Sequence, residues 1–211
     1  MSMATTVPVK TMLPRKTLVL IGGNAGIGKS SAAKSLAVST VLPLLDKDTL
    51  LAPFLTRAAE DEEGADISTD KYANALQNLN DPAYDALLSL ADTITVHSLG
   101  CIAVAPFSGF FENSPDGDSH QNPRMAAVSK LAVKNNYRVV SAWLHLSDAE
   151  EHESRMRKRG WILDEYKLKD FSAWRASQLS ADDVGANADV IVDLAEKTPR
   201  DAAQVIAERL R

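Results

Sequence analysis

Residues Gly23-Asn24-Ala25-Gly26-Ile27-Gly28-Lys29-Ser30 fit the phosphate-cradling pattern G-x-x-x-x-G-K-[ST] without a mismatch. Each residue type answers a demand of a bound triphosphate. Gly23, Gly26 and Gly28 let the backbone curl so that successive N–H groups face phosphate oxygens. Lys29 sets a cation against the β- and γ-phosphates, and the Ser30 hydroxyl is a candidate Mg²⁺ ligand. A helix starting near Gly28 adds the positive end of its dipole. The candidate nucleotide-binding set runs from Gly23 through Asn24, Ala25, Gly26, Ile27, Gly28, Lys29 and Ser30 to Ser31.

A second group of chemically capable residues follows. Asp46 and Asp48 come after an apolar run, where the carboxyl ends of strands in a doubly wound sheet hold ligands. Asp48 is a candidate to orient an acceptor hydroxyl and take its proton. Asp46 is a candidate to hold a magnesium-bound water. Either of the two could instead cap the next helix. Arg155 and Arg159 lie four apart and share a helix face, so they could neutralise charge that spreads during phosphoryl transfer. A solvated basic face is the alternative, with Glu151 at i−4 to Arg155. His145 ends a strand, a position where a lone histidine is usually structural.

These residues need a scaffold, and strand and helix signals alternate as in a parallel sheet covered by helices. Thr17 to Ile21 is a buried-strand run before the loop, and Ser31 to Ser39 a helix after it. Val41 to Leu45 reads as the second strand, at an edge because of Pro43. Helices are expected over 49–60, 69–79 and 81–99, with Asp61 to Ser68 an exposed turn. Cys101 to Ala105 is the third strand, Ser108 to Pro123 a long loop, and Arg124 to Asn135 a helix. Tyr137 to Leu146 is the fourth strand, followed by Ser147-Asp148-Ala149-Glu150 as a capping box. Trp161 to Asp170 breaks the pattern and Phe171 to Leu179 resumes it. Val190 to Val192 is the fifth strand, and Thr198-Pro199 opens a final helix.

The expected fold is therefore α/β: a P-loop NTPase with a five-stranded parallel sheet flanked by helices, nucleoside-monophosphate-kinase-like with a short lid. By analogy with that fold the strand order is 2-3-1-4-5. Residues 1–15 read as a loose tail and 16–211 as one domain, with a helical acceptor-binding insertion over about 49–99 and a lid over about 155–170. Phe54, Tyr84, Phe107, Phe110 and Phe111 are candidate acceptor walls or core.

Composition narrows the function. A net charge of −5 disfavours a broad nucleic-acid surface. No apolar run is long enough to span a bilayer, and the N-terminal residues lack a signal core. One cysteine, Cys101, excludes an intramolecular disulfide framework and suits a reducing cytoplasm. The third strand ends Val104-Ala105-Pro106-Phe107 without the acid that a motor ATPase places there.

From Ile21 to Ser30, Leu44 to Leu50, Val104 to Phe107 and Trp143 to Gly160, and on to Lys167-Leu168 and Trp174, the chain resembles the small P-loop kinases of the AAA_33 type. These are akin to chloramphenicol phosphotransferase, gluconate kinase and the polynucleotide kinase domain. The resemblance implies an ATP- and Mg²⁺-dependent kinase acting on a hydroxyl of a small molecule, with Lys29, Asp48, Arg155 and Arg159 catalytic. It further implies Ser30 and, through water, Asp46 at the metal. Such kinases commonly have Asp before Ala-Pro-Phe, where this chain has Val104. A nucleic-acid end kinase and a nucleotide-binding module without transfer activity are the alternative readings.

Overall fold

A computed structural model describes residues 15–60, 69–112, 123–161 and 164–211. The elements, in chain order, are β1 (Thr17–Gly23), α1 (Lys29–Thr40), β2 (Leu44–Asp46), α2 (Lys47–Glu60), α3 (Thr69–His97), β3 (Gly100–Val104) and α4 (Ser108–Phe111). Then come α5 (Pro123–Asn135), β4 (Arg138–His145), α6 (Ala149–Arg159), α7 (Glu165–Lys169), α8 (Phe171–Ala176), α9 (Ala181–Val184), β5 (Val190–Asp193) and α10 (Pro199–Arg209). All five strands are parallel, in the order β2-β3-β1-β4-β5. This is the anticipated α/β fold and strand order.

β1 is buried on both faces because it lies at the centre of the sheet. Side chains alternate along a strand, so Val19 and Ile21 enter one core layer with Leu36 of α1 and Ile206 of α10. Leu18 and Leu20 enter the other, with Tyr84 and Leu87 of α3, Val128 of α5 and Trp143 of β4. The sheet thus carries helices on both sides, and all five strands point their carboxyl ends toward the loop after β1. Among the described residues, no helix is long and apolar enough to cross a membrane.

Four details differ from the sequence expectation. The second strand is Leu44–Asp46, not Val41–Leu45. Val41, at φ 60°, ends α1 and donates its N–H to Ala37 O, and Pro43 has no N–H to give the ladder. The helices expected over 69–79 and 81–99 are one helix, α3, with Pro82 inside it. Proline removes one hydrogen bond there, while Tyr84, Leu87 and Ala91 keep the helix packed on the sheet. The cap of α6 is Asp148, which accepts the Glu151 N–H, and not Ser147. The Ser147 N–H goes instead to Asp193. Part of the expected loop is α4, whose Phe110 and Phe111 are buried. The expected turn over 61–68 and most of the expected tail lie outside the described residues.

Gly23 joins scaffold to site. At φ 139°, it would place a Cβ 2.1 Å from the Leu144 carbonyl oxygen of β4. That neighbour is backbone inside the sheet and cannot yield cheaply. Gly23→Ala is expected to lower unfolding free energy by about 2 kcal/mol or more, from strain and overpacking together. Urea denaturation of the variant beside the parent chain measures it, and an unchanged midpoint would contradict the packing described.

Candidate functional site

The phosphate-cradling loop leads into α1 without any side-chain cap and without an acidic residue in the first turn. No side chain competes there for an anion, and the helix dipole favours one. Gly28 at the cap has φ 111°. The loop is pinned from several sides. The Gly23 N–H donates to Pro106 O (3.0 Å), and Asn24 Nδ2 donates to Leu179 O (3.1 Å). From α6, His152 Nε2 lies 2.6 Å from Ala25 O, and Arg155 Nη1 donates to Ile27 O (3.0 Å). His152 is 2% exposed, with its ring against Phe171 and Trp174. Burial pulls its pKa below the ordinary histidine value, with help from Arg175, Lys29 and Arg155 and against the bond to Ala25.

Lys29 folds back so that its Nζ donates to Asn24 O at 2.7 Å. Part of the residue remains exposed, but the surrounding protein crowds water from the ammonium and pulls its pKa down to about 8. Asp48 and Asp46 oppose that shift, while Arg159 and Lys167 add to it. Ser30 Oγ donates to Asp46 Oδ2 at 2.6 Å. The other oxygen, Asp46 Oδ1, accepts the Asp48 N–H at 3.0 Å. Asp46 is thus the carboxylate that closes the start of α2, and both it and Asp48 border the open space.

That space is a cavity of about 480 Å³, within the usual range for a small-molecule site. Ala25, Gly26, Gly28, Lys29, Ser30 and Ser31 line one side of it. Asp46 and Asp48 line it as well, and so do Arg155 and Arg159. Three members of the expected binding run do not reach it. Gly23 packs against β4, Asn24 holds Leu179, and Ile27 belongs to the core. Nor do the aromatic wall candidates: Tyr84, Phe107 and Phe110 stack on one another, Phe111 stacks on Trp143, and Phe54 is exposed. His145 sits 4.0 Å from Asp193, away from the cavity.

Beyond Gly160 the chain returns to the cavity. Asp164, 1% exposed, accepts from Arg159 Nε (2.8 Å) and from Lys167 Nζ (3.1 Å). The Arg159 guanidinium also lies 4.9 Å from the centre of the Trp161 ring. Arg157 turns outward to Glu153, so only Arg155 and Arg159 of the basic run face inward. Sequence reasoning gave no role to Lys47, Trp161 or His152. Lys47 and Trp161 line the cavity, and His152 fixes the loop. The spacing of His152 and Arg155, three apart on a helix, is the signal that could have joined them.

No protein-family model matches the sequence, nor does any curated protein match it significantly. Solved structures do resemble the fold. The Mycobacterium tuberculosis APS kinase in complex with AMPPNP and APS is 16% identical, with 93% of this chain and 98% of that chain covered and a TM-score of 0.51. The shikimate kinase from Acinetobacter baumannii in complex with shikimate is 13% identical, with 94% of each chain covered and a TM-score of 0.52. A gluconokinase from Sinorhizobium meliloti is 17% identical, covering 92% of this chain and 94% of that one at a TM-score of 0.50. The fold is that of a P-loop kinase.

Two outcomes follow from the charges. His152 resists protonation when folded, so the unfolded chain binds more protons below the ordinary value of 6.5. Stability should therefore fall as pH drops from about 6.5, and His152→Phe, which keeps the ring packing, should flatten that fall in urea titrations at several pH values. A bound phosphate should raise Lys29 from about 8. Nucleotide binding above that pH should take up a proton, read by calorimetry in buffers of different ionisation enthalpy; binding heats independent of buffer would contradict it.

Proposed function

We propose that this chain is an ATP-dependent phosphotransferase that moves the γ-phosphate to a hydroxyl of a small molecule, akin to the small P-loop kinases of the AAA_33 type. One observation carries the reading: Asp48 faces the same cavity as the phosphate-cradling loop, Arg155 and Arg159. Phosphate cradle, acceptor base and charge stabilisers are the parts phosphoryl transfer requires.

The triphosphate lies along Gly26 to Ser31, with loop N–H groups and the α1 dipole on its oxygens. Lys29 leaves the Asn24 carbonyl for the β- and γ-phosphates. Asp48 accepts a hydrogen bond from the acceptor hydroxyl and takes its proton. The acceptor oxygen forms the new bond to the γ-phosphorus as the bond from that phosphorus to the bridging oxygen breaks, and ADP leaves. Lys29, Arg155 and Arg159 stabilise the charge that spreads over the transferring group. Arg159, with Trp161 and Lys167, belongs to a lid over about 155–170, and the helical insertion over about 49–99 walls the acceptor side.

The oxygen donors of Ser30 and Asp46 suit Mg²⁺, a hard cation that keeps much of its water. When bound, Mg²⁺ neutralises charge on the β- and γ-phosphate oxygens. Asp46 pairs in register with Val104, so an acid from β2 stands beside the position where β3 lacks one. That placement weighs against a nucleotide-binding module without transfer activity. A nucleic-acid end kinase would need a basic channel, which a net charge of −5 does not favour.

The test is ADP release from ATP and Mg²⁺ against a panel of sugars, hydroxy acids, aminoglycosides, nucleosides and DNA ends. Turnover should rise with a small hydroxyl compound. If ATP binds and no acceptor raises turnover, the module reading stands instead. Lys29→Ala should nearly abolish transfer. Asp48→Asn should lower kcat by roughly 10²–10⁴-fold with ATP affinity kept. Unchanged turnover in that variant would reduce Asp48 to a residue of the helix start.

A further inference from the structure

Lys47 is a buried cation that the transfer chemistry does not use. It stands between Asp46 and Asp48, is 4% exposed, and lines the cavity. Its Nζ donates to Asn80 Oδ1 of α3 at 2.8 Å and lies 4.6 Å from the centre of the Tyr84 ring. Among the described residues no carboxylate pairs with it. An ammonium has three donors, and among the described residues one of them meets a hydrogen-bond acceptor.

The cavity's other cations have partners of their own. Arg159 and Lys167 share Asp164, Arg155 holds Glu151, and Lys29 rests on the loop whose phosphates it would meet. The Lys47 ammonium meets α3, through Asn80 and the Tyr84 ring. A neutral amide and an aromatic face are poor compensation for a charge removed from water.

On the kinase reading above, we infer that the acceptor is a hydroxyl compound bearing an anionic group, held by Lys47 while Asp48 receives the hydroxyl. Lys47 and Asp48 are consecutive at the start of α2 and both line the cavity, so the acceptor is compact: a small hydroxy acid or an alcohol phosphate. The bound anion supplies the charge partner that Lys47 lacks, and a neutral polyol leaves that charge uncompensated. Lys47 therefore sets selectivity by charge, and Asp48 performs the chemistry.

Matched acceptor pairs test this: gluconate and glucose, glycerate and glycerol, glycerol phosphate and glycerol, each by ADP release in the full chain. The anionic member should exceed its neutral partner in kcat/KM by at least about tenfold. In Lys47→Gln, which keeps a donor for Asn80, that ratio should collapse through a higher KM, and Lys47→Arg should restore most of it. If neutral members are turned over as well as anionic ones, the inference is overturned while the kinase reading survives. A ratio that persists in Lys47→Gln also overturns the role of Lys47. If only a neutral or cationic compound of the wider panel raises turnover, the inference alone falls; if no compound of either set does, the kinase reading falls and carries this inference with it.

Discussion

Loss of water around Lys29, Lys47 and Lys167, which line one cavity with Arg155, Arg159, Asp46 and Asp48, is the constraint this structure is built around. Cations gathered out of water cost stability unless each finds compensation. The fold supplies it locally. Asp164 serves Arg159 and Lys167, Glu151 serves Arg155, and a loop carbonyl holds Lys29. Arg155, Arg159 and Lys167 are thereby held in fixed positions along the cavity wall.

The scaffold makes that arrangement rigid where it must be. β1 runs through the middle of the sheet and delivers the loop against β4, so closely that only glycine fits at position 23. α6 then holds the loop from above through His152 and Arg155. The packing of His152 on Phe171 and Trp174 connects α8 to the same loop. Ala25 of the loop, His152 of α6 and the rings of α8 thereby form one continuous set of contacts.

Much of this was legible in the sequence, because local chemistry announces itself. The loop's glycines, Lys29 and Ser30, the apolar strand before them and the alternation of elements were enough for the fold, and the strand order came only by analogy with it. The pair Asp46 and Asp48 was legible, with Asp48 read toward the acceptor and Asp46 toward the metal, but not the Ser30–Asp46 hydrogen bond across sixteen residues. Pro82 suggested a helix start, and packing of α3 on the sheet overrode it. Lys47 and His152 were opaque for a different reason. Their surroundings come from α3 and from the loop after β1, far away in the chain, and no local pattern marks a buried charge.

Phosphoryl transfer itself is tested most directly by ³¹P NMR of the full chain with ATP, Mg²⁺ and the matched hydroxy acids and polyols. The account predicts a new phosphate-monoester resonance growing in step with ADP, without a matching amount of inorganic phosphate. ADP accompanied only by inorganic phosphate, or ATP bound and unchanged with every acceptor, would contradict it.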